Sequence, residues 1–572
     1  MKTHTKEKTL FWVLVAALAA YTIKSIFVGA DIDEAYGVTL GYRLIQGDKL
    51  MWDMWEPHQT SAIFTALYIR LAMLFTGGTM NYITILLRVC FFLTQLGITL
   101  YLFKCFKECM PYLSEWEQIL FAMVYYITTP KCNYVPEYSN LHMWFSTLLI
   151  LFLMQYFCKA SANRGKVRYL VAAGVCMACD VLAYPGMVLI FPFCLCFILI
   201  KGQSAKEKII AALGFVLPCV AGAGIFMSYI LSYMKLSDIQ AVLPCILGDG
   251  SHQMSLAEKC LYWMKGFGEL FGMILGCGLV AFILLVVIRR MGKMNWAGGE
   301  KLSQWLVVWF AVQMMFQVIC WMDSDYNSGY PQITYLALPL SGILLQKRSK
   351  LKSQTGRYMI LFSLVNYIAL NVFSNWEPAC LNVYLVVGIF GGFLCYKQYF
   401  KEQMGPKSRK LIQMLCVLFI LVEVFGRCLL MIGGEQGSEM TYQVRGISKE
   451  GVRGGILTSY MNAYRYNDNY QRFEEIVPAG SMILYLGPSQ FYYMMGDCRI
   501  GAPNTISTPE YDENLKLYYE MHPERFPEVV VMESCYGDVS YFAEDDYIFT
   551  WIEEEYQPTT VEEYPYVRVY RR

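Results

Sequence analysis

The sequence predicts a polytopic α-helical membrane protein of about thirteen transmembrane helices, with a small C-terminal α/β domain outside the cytoplasm. Three observations lead there. Of 572 residues, 56% are hydrophobic and 16% charged, and mean hydropathy is +0.36; soluble domains carry about 25% charge. Apolar stretches recur for over 400 residues. The net charge of +1 divides sharply at residue 433: residues 1–432 hold 36 basic and 23 acidic side chains, a net of +13, and residues 433–572 hold 11 and 23, a net of −12. Such sparse charge excludes a soluble multidomain enzyme and a disordered chain. The near-neutral total gives no argument for a nucleic-acid partner.

A spanning helix needs ~20 mainly apolar residues. The first such stretch, 9–30, ends at Asp31 without a small-residue cleavage site, which predicts a retained helix rather than a signal peptide. The further predicted spans are 81–103, 116–130, 141–158, 168–183, 185–200, 209–234, 260–288, 303–322, 332–346, 357–374, 380–396 and 411–432. With the N-terminus inside, alternate loops carry the basic residues: Lys104 and Lys107, Lys159–Arg168, Lys201–Lys208, Arg289–Lys301, Lys347–Lys352 and Lys397–Lys410. The opposite loops, 31–80, 131–140, 235–259, 323–331 and 375–379, hold acids, prolines and aromatics. This registration requires 61–76 to lie on the outer interface as an amphipathic helix, because a crossing there would invert every later loop. Residues 1–432 thus form the membrane domain, with 31–80 as its first external loop, and 433–572 lie outside the cytoplasm.

The tail alternates compact β-like runs, such as Met482–Leu486, Val529–Met532 and Val567–Tyr570, with helix-like stretches such as Glu513–Glu520, which predicts an α/β domain. It contains no GxGxxG, P-loop or HExxH. Most of the twenty cysteines sit in apolar runs, where a thiol behaves as a small hydrophobe; Cys498 and Cys535 are left either as a disulfide or as two thiols.

The chemistry is expected in the first external loop: Asp31-Ile32-Asp33-Glu34-Ala35-Tyr36, followed by Trp52-Asp53-Met54-Trp55-Glu56-Pro57-His58. Three acids in four residues after a spanning helix need solvent, cations or substrate. Asp31 with Glu34 also reads as a helix-capping box. The DE-x-Y after the first span, followed by a Glu-Pro element before an interfacial helix, resembles the GT-C superfamily. Within it the pattern is similar to glycosyltransferase family 39, the lipid A aminoarabinose transferases and the protein O-mannosyltransferases. That resemblance implies a GT-C fold with thirteen spans and an outer tail. It also implies an enzyme of the cell envelope that takes sugar from a polyprenyl-phosphate carrier on the extracytoplasmic face. It places Asp33 on the catalytic acid and Glu34 on its companion. Glu56 and Pro57 fall on an element usually Glu-Lys-Pro-Pro; here His58 follows Pro57 and the lysine is missing. Glu137 is the nearest match to a second acid after the third span.

Among the charged residues within the predicted spans, Lys24, Arg88, Asp180, Glu423 and Arg427 stand in apolar surroundings toward the outer ends of their helices. Arg88 and Arg427 are candidates to clamp a lipid phosphate, since a guanidinium binds phosphate bidentately. The 323–331 loop offers Asp325 and Tyr330, the latter before Pro331 as the resemblance implies near the donor; turn chemistry explains the loop's Asn, Ser and Gly equally. Its Asp323-x-Asp325 pair invites a divalent cation but supplies too few ligands to define a site. The expected function is therefore an inverting glycosyltransferase with Asp33 as base and Asp31, Tyr36, Glu56, His58, Arg88, Glu137, Asp325, Tyr330 and Arg427 binding substrate. The acceptor is a lipid, glycan or protein. The alternatives are a flippase of lipid-linked sugars, or a polysaccharide ligase or polymerase.

Overall fold

The computed structural model describes residues 2–130, 133–158, 167–201, 204–247, 254–291, 301–322, 332–350, 352–374, 376–434, 437–506, 513–533, 542 and 546–572. The helices of the body are α1 (Lys2–Phe27), α2 (Ile32–Gln46), α3 (Ala62–Met73), α4 (Ile83–Cys109), α5 (Glu115–Ile127), α6 (Tyr138–Cys158), α7 (Val167–Ala183), α8 (Ile190–Lys201), α9 (Ala205–Leu231), α10 (Leu236–Leu247), α11 (Leu256–Arg290), α12 (Lys301–Met322), α13 (Ile333–Arg348), α14 (Gln354–Phe373), α15 (Val386–Met404) and α16 (Lys407–Leu429). Each of the thirteen predicted spans coincides with one of them. Among the described residues nine helices are long and apolar enough to cross a membrane. The other four predicted spans are helices of 13, 17, 12 and 16 residues, namely α5, α7, α8 and α13.

Between α1 and α4 the first loop contains α2 and α3. The latter occupies the segment expected to lie at the interface, and Leu67, Leu71, Leu74 and Phe75 on and just after it are exposed. Past α16 come two short antiparallel pairs, β1 (Leu430–Gly434) with β2 (Gly437–Met440) and β3 (Val444–Ile447) with β4 (Leu457–Ser459). Helix α17 (Tyr460–Ile476) leads into a five-stranded sheet of order β6-β5-β7-β9-β8. There β5 (Ser481–Leu486) runs parallel to β6 (Cys498–Ile500) and β7 (Val529–Glu533), and β9 (Val567–Arg571) runs antiparallel to β7 and to β8 (Thr560–Glu563). All six residues of β5 and all five of β7 are buried, which is why these runs read as continuous apolar stretches. Cys498 is a buried free thiol; Cys535 lies outside the described residues.

The sheet and the first loop share one core. Tyr36, Leu40, Leu50 and Trp55 pack in the same apolar cluster as Ile483, Tyr518 and Val531. The α/β domain therefore sits on the end of the helical bundle that carries the first loop. Lys24, Asp180, Glu423 and Arg427 lie in the last two turns of their helices and Arg88 in the first two turns of α4, all toward that end.

Candidate active site

Helix α2 starts where it does because Asp31 caps it. The Asp31 carboxylate accepts the Asp33 amide at 2.8 Å, and Glu34 Oε2 accepts the Asp31 amide at 3.5 Å, completing a capping box. The next residues diverge. Asp33 is half-buried and lines a cavity, whereas Glu34 is fully buried on the other side. Arg88 Nε donates to Glu34 Oε1 at 3.1 Å, Arg88 Nη2 pairs with Glu34 Oε2, and the Tyr134 amide donates to Glu34 Oε1 at 2.9 Å. The rest of the Arg88 guanidinium is spent on the carbonyls of Ser25 (3.2 Å), Ile26 (3.2 Å) and Gly29 (2.8 Å). Arg88, a candidate phosphate clamp by sequence, thus pins the first loop to the ends of α1 and α4 and does not line the cavity.

The cavity, of about 340 Å³, opens at the domain-bearing end of the bundle. Its polar wall comprises Asp33, Tyr36, His58, Tyr138, Tyr184 and Tyr384. His58 stacks on Tyr138 with ring centroids 4.1 Å apart and planes 3° from parallel, and lies 4.7 Å from Tyr184. Tyr36 meets Tyr138 edge-on at 6.1 Å. The opposite wall is apolar: Ile246 and Leu247 from α10, Leu370 and Phe373 from α14, and Leu381. Lys259, one turn into α11, brings an ammonium group to the same space, where Nζ donates to the Val372 carbonyl at 2.5 Å. Asn504 and Ile506 of the α/β domain complete the lining.

Glu137 lies just behind this wall. A Cβ added to Gly37 of α2 would stand 2.4 Å from Glu137 Cβ, so only glycine allows the two segments to approach. Glu137 caps α6, accepting the Ser139 amide (2.9 Å), the Asn140 amide (3.0 Å) and the Ser139 hydroxyl. Burial pushes its carboxyl up to about 7; the Ser139 hydrogen bonds oppose that rise and the nearby Asp33 charge adds to it.

The remaining sequence candidates are placed elsewhere. Glu56 is fully buried and does not line the cavity, accepting from Arg43 Nη1 (3.1 Å) and the Thr505 amide (3.1 Å). Burial raises its pKa, and the Arg43 charge works against that. Arg427 holds Glu423 (3.4 Å) and the Thr129 carbonyl (3.0 Å), while Lys24 Nζ donates to the Arg427 carbonyl at 3.0 Å. Asp325 and Tyr330 lie outside the described residues. Sequence reasoning missed Lys259. Its signal was an exception: loop 235–259, grouped with the basic-poor outer loops, holds two lysines, Lys235 and Lys259. Asp180, singled out by sequence, is buried behind Tyr184 and Tyr384 with His142, which sequence reasoning missed; His142 Nδ1 and Asp180 Oδ1 are 2.7 Å apart. Among the described residues no group of three or more His, Cys, Asp or Glu is placed to hold a metal ion.

No protein-family model matches the chain, and no curated protein matches it. Among solved structures it is similar to the oligosaccharyltransferase of Archaeoglobus fulgidus in complex with zinc and sulfate. The two are 12% identical, with a TM-score of 0.45 over 91% of this chain and 68% of that one. It is also similar to ArnT of Cupriavidus metallidurans bound to undecaprenyl phosphate, 11% identical, with a TM-score of 0.41 over 98% of this chain and 97% of the other. Both likenesses are loose, and the chemistry of the site rests on its own side chains.

Proposed function

We propose that this chain is a multi-pass membrane glycosyltransferase that moves a sugar from a polyprenyl-phosphate carrier to a hydroxyl-bearing acceptor at the outer membrane face. One observation carries the reading. A single cavity brings together a carboxylate (Asp33), an ammonium (Lys259), an aromatic wall and an apolar helical wall. A lipid-linked sugar presents the complementary features: a hydrocarbon chain, an anionic phosphate and a polar ring.

In the reaction the acceptor oxygen attacks the anomeric carbon as Asp33 takes its proton, and the bond from that carbon to the phosphate oxygen breaks with both electrons leaving on the phosphate. Attack from the side opposite the leaving group inverts the anomeric centre. A base must come within hydrogen-bond reach of the hydroxyl, which a carboxylate on the cavity wall satisfies. Negative charge grows on the phosphate as the bond breaks, so Lys259 stabilises the transition state more than the ground state. The His58–Tyr138 stack and Tyr36 supply flat faces for the sugar. A hard divalent cation takes about six or more oxygens. Among the described residues Asp33 is the one acid that lines the cavity, and the nearby Glu137, Glu56 and Asp180 are already engaged, so no step is routed through a metal. The distribution of Lys and Arg between loops supports the outward orientation of the site.

The test is Asp33→Asn, assayed for transfer of labelled sugar from a polyprenyl-phosphate donor in membranes. Loss of transfer with normal membrane insertion is expected. Full activity in that variant would remove Asp33 from the mechanism.

A further inference from the structure

The α/β domain is acidic overall, yet one of its surfaces is neither acidic nor polar. Tyr442 (66% exposed), Tyr460 (59%), Met461 (54%) and Tyr464 (49%) project from it, together with Ile447 and Leu457. Ile447 and Leu457 face each other across the β3–β4 hairpin, and Leu457 is followed at once by the first turn of α17, which carries Tyr460, Met461 and Tyr464. Tyr460 and Tyr464 stack at 5.9 Å, making one continuous apolar and phenolic face. The apolar character ends abruptly two turns on, where Gln471, Glu474 and Glu475 are exposed. Monomeric proteins rarely leave such a face bare without a partner.

Its position identifies the partner. The Leu457 carbonyl accepts the Gly29 amide at 2.8 Å, and Val28 forms a β-bridge with the same residue. Gly29 comes two residues after the end of α1, whose Glu7–Phe27 stretch is long and apolar enough to span and whose Ile23 and Phe27 side chains are exposed. The patch therefore continues the lipid-facing surface of α1 past its end, at the depth where hydrocarbon gives way to headgroups. Tyrosine is enriched there because its ring is apolar and its hydroxyl wet. Charge agrees with position. Segment 440–464 carries three basic residues and one acid within a domain of net −12, and Arg445 and Lys449 are exposed. We infer that this hairpin and the first turn of α17 dock into the lipid headgroup region and anchor the α/β domain to the membrane surface, with Arg445 and Lys449 facing anionic headgroups.

The inference stands apart from the reaction proposed for the cavity, because none of these residues lines it. The test uses the full chain in proteoliposomes of phosphatidylcholine and phosphatidylglycerol, with p-benzoylphenylalanine placed singly by Tyr464→p-benzoylphenylalanine or Gln471→p-benzoylphenylalanine. After irradiation, mass spectrometry should find phospholipid adducts on the peptide containing position 464 and none at position 471. As a check needing no substitution, amide exchange across 457–464 should slow in lipid nanodiscs relative to detergent. Adducts at 464 to protein alone, equal lipid adducts at both positions, or unchanged exchange in the wild-type chain would overturn the assignment.

Discussion

Successive side chains on an α-helix point about 100° apart, and that angle separates the tasks of Asp33 and Glu34. Asp33 meets the cavity, while Glu34 turns into a fully buried pair with Arg88. Removing one partner of such a pair leaves an uncompensated charge and costs about 3–5 kcal/mol. Arg88→Met should therefore lower the Tm of the purified protein steeply, and adding Glu34→Gln should recover much of the loss. A phosphate-clamp role would instead leave Tm unchanged and raise KM for the donor. Lys259→Ala, by contrast, should leave Tm within a degree or two of wild type and lower kcat as well as kcat/KM for the donor. Glu137 supplies a pH test. Its folded pKa of about 7 lies above the ordinary 4.5, so the folded state holds a proton that the unfolded chain has lost across that window. Stability should fall as pH rises from 4.5 to 7, by up to about 3 kcal/mol in all. Thermal melts of Glu137→Gln should lack this slope.

At the scale of elements, hydropathy locates helices well because each apolar run must satisfy its backbone internally, whatever its neighbours. All thirteen predicted runs are helical for that reason. Length is less legible. Helix α5 has 13 residues and packs between α4 and α16, with Glu117 paired to Lys397 at 2.8 Å; a partner 280 residues away leaves no local trace. The same blindness explains Arg88, whose carbonyl and carboxylate partners lie 54 to 63 residues away. The capping box at Asp31, by contrast, is written within four residues and was readable. Asp31→Ala should cost about 1 kcal/mol and, by letting the first turn of α2 fray, should reduce kcat far more than that stability loss alone implies. Gly37 acts on the same element. Gly37→Val would force α2 away from Glu137, and transfer should collapse while circular dichroism remains helical.

At the scale of the molecule, the two charge halves meet in a specific joint. Arg43 donates to Asp48 (2.7 Å), Glu56 (3.1 Å) and the Asp53 carbonyl (2.5 Å), and Arg525 of the α/β domain reaches Asp48 (2.7 Å) and Asp53 (3.0 Å). The Trp55 amide donates to the Pro503 carbonyl at 2.8 Å, and Tyr518 to the Asp53 carbonyl at 3.0 Å. Composition announced two objects of opposite charge; that they share one core and one ion network was not visible, because net charge says nothing about who touches whom. Arg525→Ala should loosen the joint, and since Asn504 and Ile506 line the cavity, it should weaken transfer without touching Asp33. The joint also sets a clock on biosynthesis. Asp48 and Asp53 are translated long before Arg525, and until then Arg43 alone stands beside them. A product truncated before Arg525 would therefore keep the Arg43 pair but lack the second cation and the Asn504 and Ile506 wall of the cavity, and it should not support transfer. Competence in transfer is expected only once the α/β domain has been made and has docked.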